Sequence, residues 1–210
     1  MKIGFIFECG PKGVDVPICK YLVKKLDSEI KFTPITLGDK TALGDESNKK
    51  KLLQDCGKIA KLLLESDRCE KVIILWDLYP SHKEEKPCRR QDREDILARL
   101  QAEGVDLNRI SLICISGEIE TWLIADHRAI EDTIAYLKRP HPIEKIVKFR
   151  YPDRIKNPKK QLKKIFDKNK LAYNEYQHPI QIAENIKDFR EIKKSESFRR
   201  FALKVTGREL

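Results

Sequence analysis

Glu8, Asp77, Glu118 and Glu120 are the residues of this chain whose types and positions could do chemistry together. Each follows an apolar run: Phe5-Ile6-Phe7 leads into Glu8, Leu75-Trp76 into Asp77, and Ile113-Cys114-Ile115-Ser116-Gly117 into Glu118-Ile119-Glu120. In an open parallel sheet the carboxyl ends of the strands share one edge, where ligands bind, so acids far apart in sequence converge there. Carboxylate oxygens suit a hard divalent cation, Mg2+ or Mn2+, which keeps waters and substrate phosphate among its ligands. Two such ions ~3.5–4 Å apart would stabilise the attacking and leaving oxygens of a phosphodiester. The expectation is a metal site in which these four carboxylates are both ligands and catalytic groups. A plainer reading stands beside it: an acid after a strand often caps the next helix or sits in its first turn, where the helix dipole favours it.

Basic residues could complete such a site. The chain carries a net charge of +10, and Lys and Arg concentrate from residue 138 onward. Lys and Arg neutralise phosphates and release their counterions, so a polyanionic partner is compatible with that bias, as is a solvated Lys-rich surface. Lys159 and Lys160, after Pro158, are candidates to bind the scissile phosphate or neutralise a leaving oxyanion. Lys12, Arg89 and Arg90 are further candidates to grip nucleic acid. His82, His127, His141 and His178 show no metal-ligand spacing.

The elements that must position these groups are legible from periodicity. Lys2–Phe7, Lys31–Leu37, Lys71–Trp76 and Arg109–Ser116 read as strands, the last two apolar enough to be buried on both faces. Helical spacing recurs from Asp15, read as the cap, to Leu26, then over Lys50–Leu64, Asp92–Glu103 (ended by Gly104) and Thr121–Leu137, broken near Asp126. Asp126 reads as the cap of the second piece, and Trp122 as core packing. The polar segment from Leu78 to Arg90, with Pro80 and Pro87, reads as a long loop of the kind that tends to carry function. Alternating strands and helices predict an α/β fold: a central parallel four-stranded sheet with helices on both faces. After residue 138 the strands stop, and helices are expected at Lys159–Phe166, Ile180–Ile186 and Ser195–Val205. The expected division is an α/β core over 1–138 and a basic helical extension over 139–210, packed on it.

Composition limits the alternatives. Hydrophobic residues make up 40% and charged residues 36% of the chain, which suits a globular domain with a heavily solvated surface. No apolar run reaches eighteen residues, so a membrane-spanning helix is not expected. MKIGFIFECG lacks a secretory pattern. The six cysteines show no paired CxxC spacing, so free, mostly buried thiols in a cytoplasmic protein are expected rather than disulfides or structural zinc.

The segments FECGPKGVD, WDLYP, PCRRQDREDILARL and ICISGEIETWLIADHRAI resemble an uncharacterised TOPRIM-related family with a strand–Glu–Gly loop, a D-x-Y-P-like strand end and an E-x-E-x-W-L-x-A-D element. NPKKQLKKIF and HPIQIAENI…SFRRF are similar to its basic and C-terminal helices, so the resemblance spans nearly the whole chain. It implies a TOPRIM-like sheet and a first-strand Glu, matched by Glu8, with a later acidic pair binding Mg2+, whose first member is matched by Asp77. Where TOPRIM proteins often have D-x-D, residue 79 is Tyr, so Glu118 or Glu120 would supply the missing carboxylate. The implied function is a Mg2+- or Mn2+-dependent nuclease acting in prokaryotic defence against phage or mobile elements. No P-loop is present, so ATP hydrolysis would come from a separate ATPase partner. The other function considered is a non-catalytic module that binds nucleic acid or a partner protein. A phosphoryl-transfer enzyme with a small phosphorylated substrate is a third possibility.

Overall fold

A computed structural model of the chain describes residues 1–38, 45–78 and 89–210. Most of the expected 78–90 loop, including Tyr79, Pro80, His82, Pro87 and Cys88, therefore lies outside the described residues.

Four strands, β1 (Lys2–Phe7), β2 (Lys31–Thr36), β3 (Lys71–Asp77) and β4 (Ile110–Ile115), form one all-parallel sheet in the order β2-β1-β3-β4. The chain leaves β1 toward β2 and then crosses back past β1 to β3. The direction of winding therefore reverses between β1 and β3, where a crevice opens at the carboxyl ends of an open sheet. Glu8 and Asp77 stand on either side of that point.

Side chains alternate across the sheet with the period of two that a strand dictates. Ile3, Phe5, Phe7, Ile73, Leu75, Ile113 and Ile115 enter one apolar layer, and Ile6, Val72, Ile74, Trp76 and Cys114 enter the other. The second layer is covered by α2 (Asp45–Glu65) and α3 (Arg89–Ala102). Gly57 permits those helices to cross closely, since a Cβ there would come within 2.6 Å of the Arg99 carbonyl oxygen. The first layer is covered by α1 (Asp15–Leu26), α4 (Glu120–Ala125), α5 (His127–Lys138), α6 (Pro158–Lys168), α7 (His178–Asn185) and α8 (Glu196–Thr206).

The segment after residue 138 shares the sheet's own core. Phe201 of α8 meets Phe5 of β1 with ring centroids 6.4 Å apart, and Phe198 packs edge-on to Trp122 at 5.5 Å. Trp122 is fully buried, and its indole N–H donates to Ser197 Oγ at 2.9 Å, so the expected packing role is met with its polar edge satisfied.

Local signals explain most boundaries. Gly104, at φ +70°, follows α3 in the left-handed region that favours glycine. The Asp126 carboxylate accepts from the N–H groups of Arg128 and Ala129, capping α5 where the break was expected. Two expectations are corrected. Asp15 does not cap α1: Val14 holds the cap position without a side-chain hydrogen bond, and Asp15 is the first helical residue. Arg89 and Arg90 belong to the first turn of α3 rather than to a loop. Of the cysteines, Cys19, Cys56, Cys69 and Cys114 are buried and Cys9 half-buried, all as free thiols. No helix among the described residues is long and apolar enough to cross a membrane.

Candidate metal centre

Adjacent parallel strands put Glu8, Asp77 and the residues after β4 side by side at one sheet edge. The Asp77 backbone N–H donates to Glu8 Oε2 at 3.1 Å, so the acid ending β1 is held across the switch point by the backbone of β3. Glu118 and Glu120 follow β4, Glu120 as the first residue of α4, 2% exposed. Asp15 enters from the start of α1. Glu8, Asp15 and Asp77 line a small hollow of about 10 Å³, room for roughly one water, among apolar residues that include Phe7, Leu75 and Ile115; Glu118 and Glu120 do not line it.

The electrostatics follow from crowding carboxylates where water is scarce. Burial pushes the Glu8 carboxyl up to about 8, against the Lys49 ammonium and the Asp77 N–H; the charges of Asp15 and Asp92 add to the rise. Burial also holds Asp77 well above the carboxylate range, reinforced by Asp15, Glu8, Glu120 and Glu118. Asp15 is raised by burial and by Glu118, against its hydrogen bond with Cys9 and the charge of Lys159. Glu120 rises with burial to about 7, tempered by Lys159, whose Nζ lies 3.8 Å from its Oε1. Asp77 thus feels the charges of four other carboxylates, Asp15 among them.

Two lysines oppose this negative charge. Lys159 approaches from α6, its side chain 39% exposed. Lys49 approaches from α2, with a side chain only 1% exposed, ion-paired to Asp92 at 3.4 Å and donating to the Leu78 carbonyl at 3.3 Å. Trp76 Nε1 donates to the same Asp92 carboxylate at 3.2 Å, binding the network to β3. Cys9 has no nucleophilic character here, because burial and Asp15 push its thiol far up.

Two features decide the fit to a hard cation. The donors are carboxylate oxygens, and one of them, Glu118 Oε2, is buried without a hydrogen-bond partner among the described residues. Among those residues, however, no three His, Cys, Asp or Glu side chains are grouped so as to hold a metal ion. Carboxylates lie within electrostatic reach of one another at this edge, and among the described residues they form no three-ligand group.

The other candidates are dispersed. Arg89 donates to Ser116 Oγ at 3.0 Å, beside the end of β4. Arg90 pairs with Glu94 at 2.8 Å on an exposed face. Lys12 is exposed in the loop after β1, and Lys160 is exposed on α6. Sequence reading missed the place of Asp15, whose position before a helix matches the capping pattern equally well. It also missed Lys49, which stands in a run of three lysines that reads as a solvated face.

No curated protein and no solved structure matches the chain. The family match spans residues 20–206, taking in Asp77, Glu118, Glu120 and Lys159, while Glu8 and Asp15 precede it. Over that span the chain matches the family described as a domain of unknown function (DUF4276), and it belongs to that family.

Proposed function

We propose that this acidic edge binds Mg2+ or Mn2+ and that the protein is a TOPRIM-type nuclease acting on nucleic-acid phosphodiesters. The observation carrying the reading is that Asp77 feels the charges of Glu8, Asp15, Glu118 and Glu120 beside one switch point, while burial favours the protonated forms of Glu8, Asp15, Asp77 and Glu120. Such a cluster stabilises added positive charge, and oxygen donors select a hard divalent cation. Glu8, Asp77, Glu118 and Glu120 would hold the ion. When bound, it would polarise a phosphoryl oxygen and lower the pKa of a water. The chain's own residues do the rest. The Asp77 N–H orients Glu8, and Lys159 carries a positive charge that burial opposes and that Glu120 and Glu118 sustain. A role in prokaryotic defence beside a separate ATPase belongs to the same proposal and rests on the TOPRIM resemblance alone; a cytoplasmic location is proposed from the free, mostly buried thiols.

The test is cleavage of DNA and RNA with Mg2+, Mn2+ or chelator, using the wild type and the Glu8→Ala/Asp77→Ala double variant. Metal-dependent cleavage that disappears in the variant is expected. Undiminished cleavage by the variant would remove these carboxylates from the chemistry.

A second reading, a TOPRIM-like module that binds nucleic acid or a partner protein without cutting, draws on the lack of a three-ligand group among the described residues. It expects binding with a steep salt dependence and no metal-dependent cleavage.

A further inference from the structure

Two open hollows away from the acidic edge meet at Arg139, the residue that follows α5. The first, about 540 Å³, lies where α5 packs on α7, and its lining includes Tyr136, Arg139, Gln181 and Asn185. The Tyr136 ring is 67% exposed, and the Arg139 guanidinium sits 5.8 Å from its centroid. An open ring beside a guanidinium offers two planar groups on which a nucleic-acid base stacks. Of the acids in this lining, Asp132 is paired to Lys187 at 2.7 Å, and Glu184 is the other. The second hollow, about 580 Å³, is lined by Arg139 again, with Lys138, His141, Lys168 and Lys170 against one acid, Glu144. Both volumes are those of ligand clefts, and the second has the charge that phosphate requires.

Helix α6 joins the second hollow to the acidic edge. It carries five lysines and one acid, Asp167. Lys160, Lys164 and Lys168 recur every fourth residue, so they run along one line of the helix, and all three are exposed. The line starts beside Lys159, whose Nζ is 3.8 Å from Glu120 Oε1. It ends at Lys168 in the hollow, about 12 Å further along the helix. We propose that this track binds single-stranded nucleic acid. The lysines of α6 and the second hollow hold its phosphates, and Tyr136 with Arg139 stacks one of its bases. A duplex keeps its bases stacked on one another, so the exposed ring selects an unpaired strand. As the substrate path of the acidic edge the track rests on the phosphodiester reading above, while strand binding itself needs no metal.

Binding of a fluorescein-labelled oligothymidylate to the full chain, followed by anisotropy in chelator across a salt series, tests the track. Tyr136→Ala weakens binding about tenfold without changing its salt dependence, and Tyr136→Phe retains it. Lys164→Ala/Lys168→Ala makes the slope of log K against log salt shallower by about 0.7 for each lysine. Lys50→Ala/Lys58→Ala, at exposed positions of α2 on the other face of the sheet, leaves that slope unchanged. Unchanged binding by Tyr136→Ala, or equal changes of slope from the two lysine pairs, overturns the track. A wild type that binds the matching duplex as tightly, or binds no oligonucleotide, overturns it too. Mg2+-dependent cleavage that persists beside any of these results leaves the phosphodiester reading standing. Strand binding as expected with no cleavage in Mg2+ or Mn2+ overturns that reading and leaves the strand-binding track intact.

Discussion

Glu8 Oε2 accepts the backbone N–H of Asp77 at 3.1 Å, a bond between the last positions of β1 and β3 that spans the point where the winding of the sheet reverses. It orients one carboxylate with a group that no side-chain substitution at Asp77 removes. An Asp77→Asn variant therefore keeps Glu8 in place and isolates the charge of Asp77 from its geometry.

Stability depends on pH through Glu8. The folded protein raises this carboxyl from 4.5 to about 8, so between those values the native state holds a proton that the unfolded chain has released. Stability is then greatest below the unfolded value and declines as pH rises toward about 8. Glu8→Gln keeps the acceptor for the Asp77 N–H and is expected to flatten this decline. Urea melts from pH 5 to pH 9 in chelator check it, and a variant whose slope equals that of the wild type contradicts it.

Lys49 is the buried cation nearest the first-strand acid in effect, and it is ion-paired to Asp92. Lys49→Met removes the ammonium beside the buried Asp92 carboxylate, leaving the Trp76 hydrogen bond, and should destabilise the fold by about 3–5 kcal/mol. Lys49→Met/Asp92→Leu should recover much of that loss. Denaturant titration of both variants gives the comparison.

Gly38 sits against the loop that follows Glu8. A Cβ at this position would lie 2.4 Å from the Gly10 nitrogen and 2.6 Å from the Cys9 carbonyl carbon, both backbone atoms. Gly38→Ala must push the two strand ends apart, at a cost of about 1–3 kcal/mol. Thermal unfolding is the readout, and an unchanged Tm would mean that the close approach is dispensable.

Lys159 stabilises the buried Glu120 carboxylate and holds it near 7. Lys159→Met should raise the Glu120 pKa above that value and slow the proposed cleavage without unfolding the protein, because the lysine is 39% exposed. A pH–rate profile whose acidic limb moves to higher pH is the expected signature.

The fold was largely readable because the strands are short apolar runs with hard stops. KVIILW ends at Asp77, and the helices between strands keep their 3.6-residue period. The site was readable in part for the same reason: a strand end followed by an acid is visible locally. Asp15 and Lys49 were not visible as neighbours of these acids. Each comes to this edge through tertiary packing, and each fits a local role, helix cap or solvated lysine, equally well. Arg89 shows the reverse, since its loop reading gave way to a helix whose first residue reaches Ser116.

The central claim is that these carboxylates share a divalent cation. Crystals soaked in Mn2+ and measured at the manganese edge test it most directly. An anomalous peak bounded by Glu8, Asp77 and Glu118 or Glu120, lost in Glu8→Gln/Asp77→Asn, is the expected result. Manganese absent from this edge, with the same crystals diffracting well at high Mn2+, would contradict the claim.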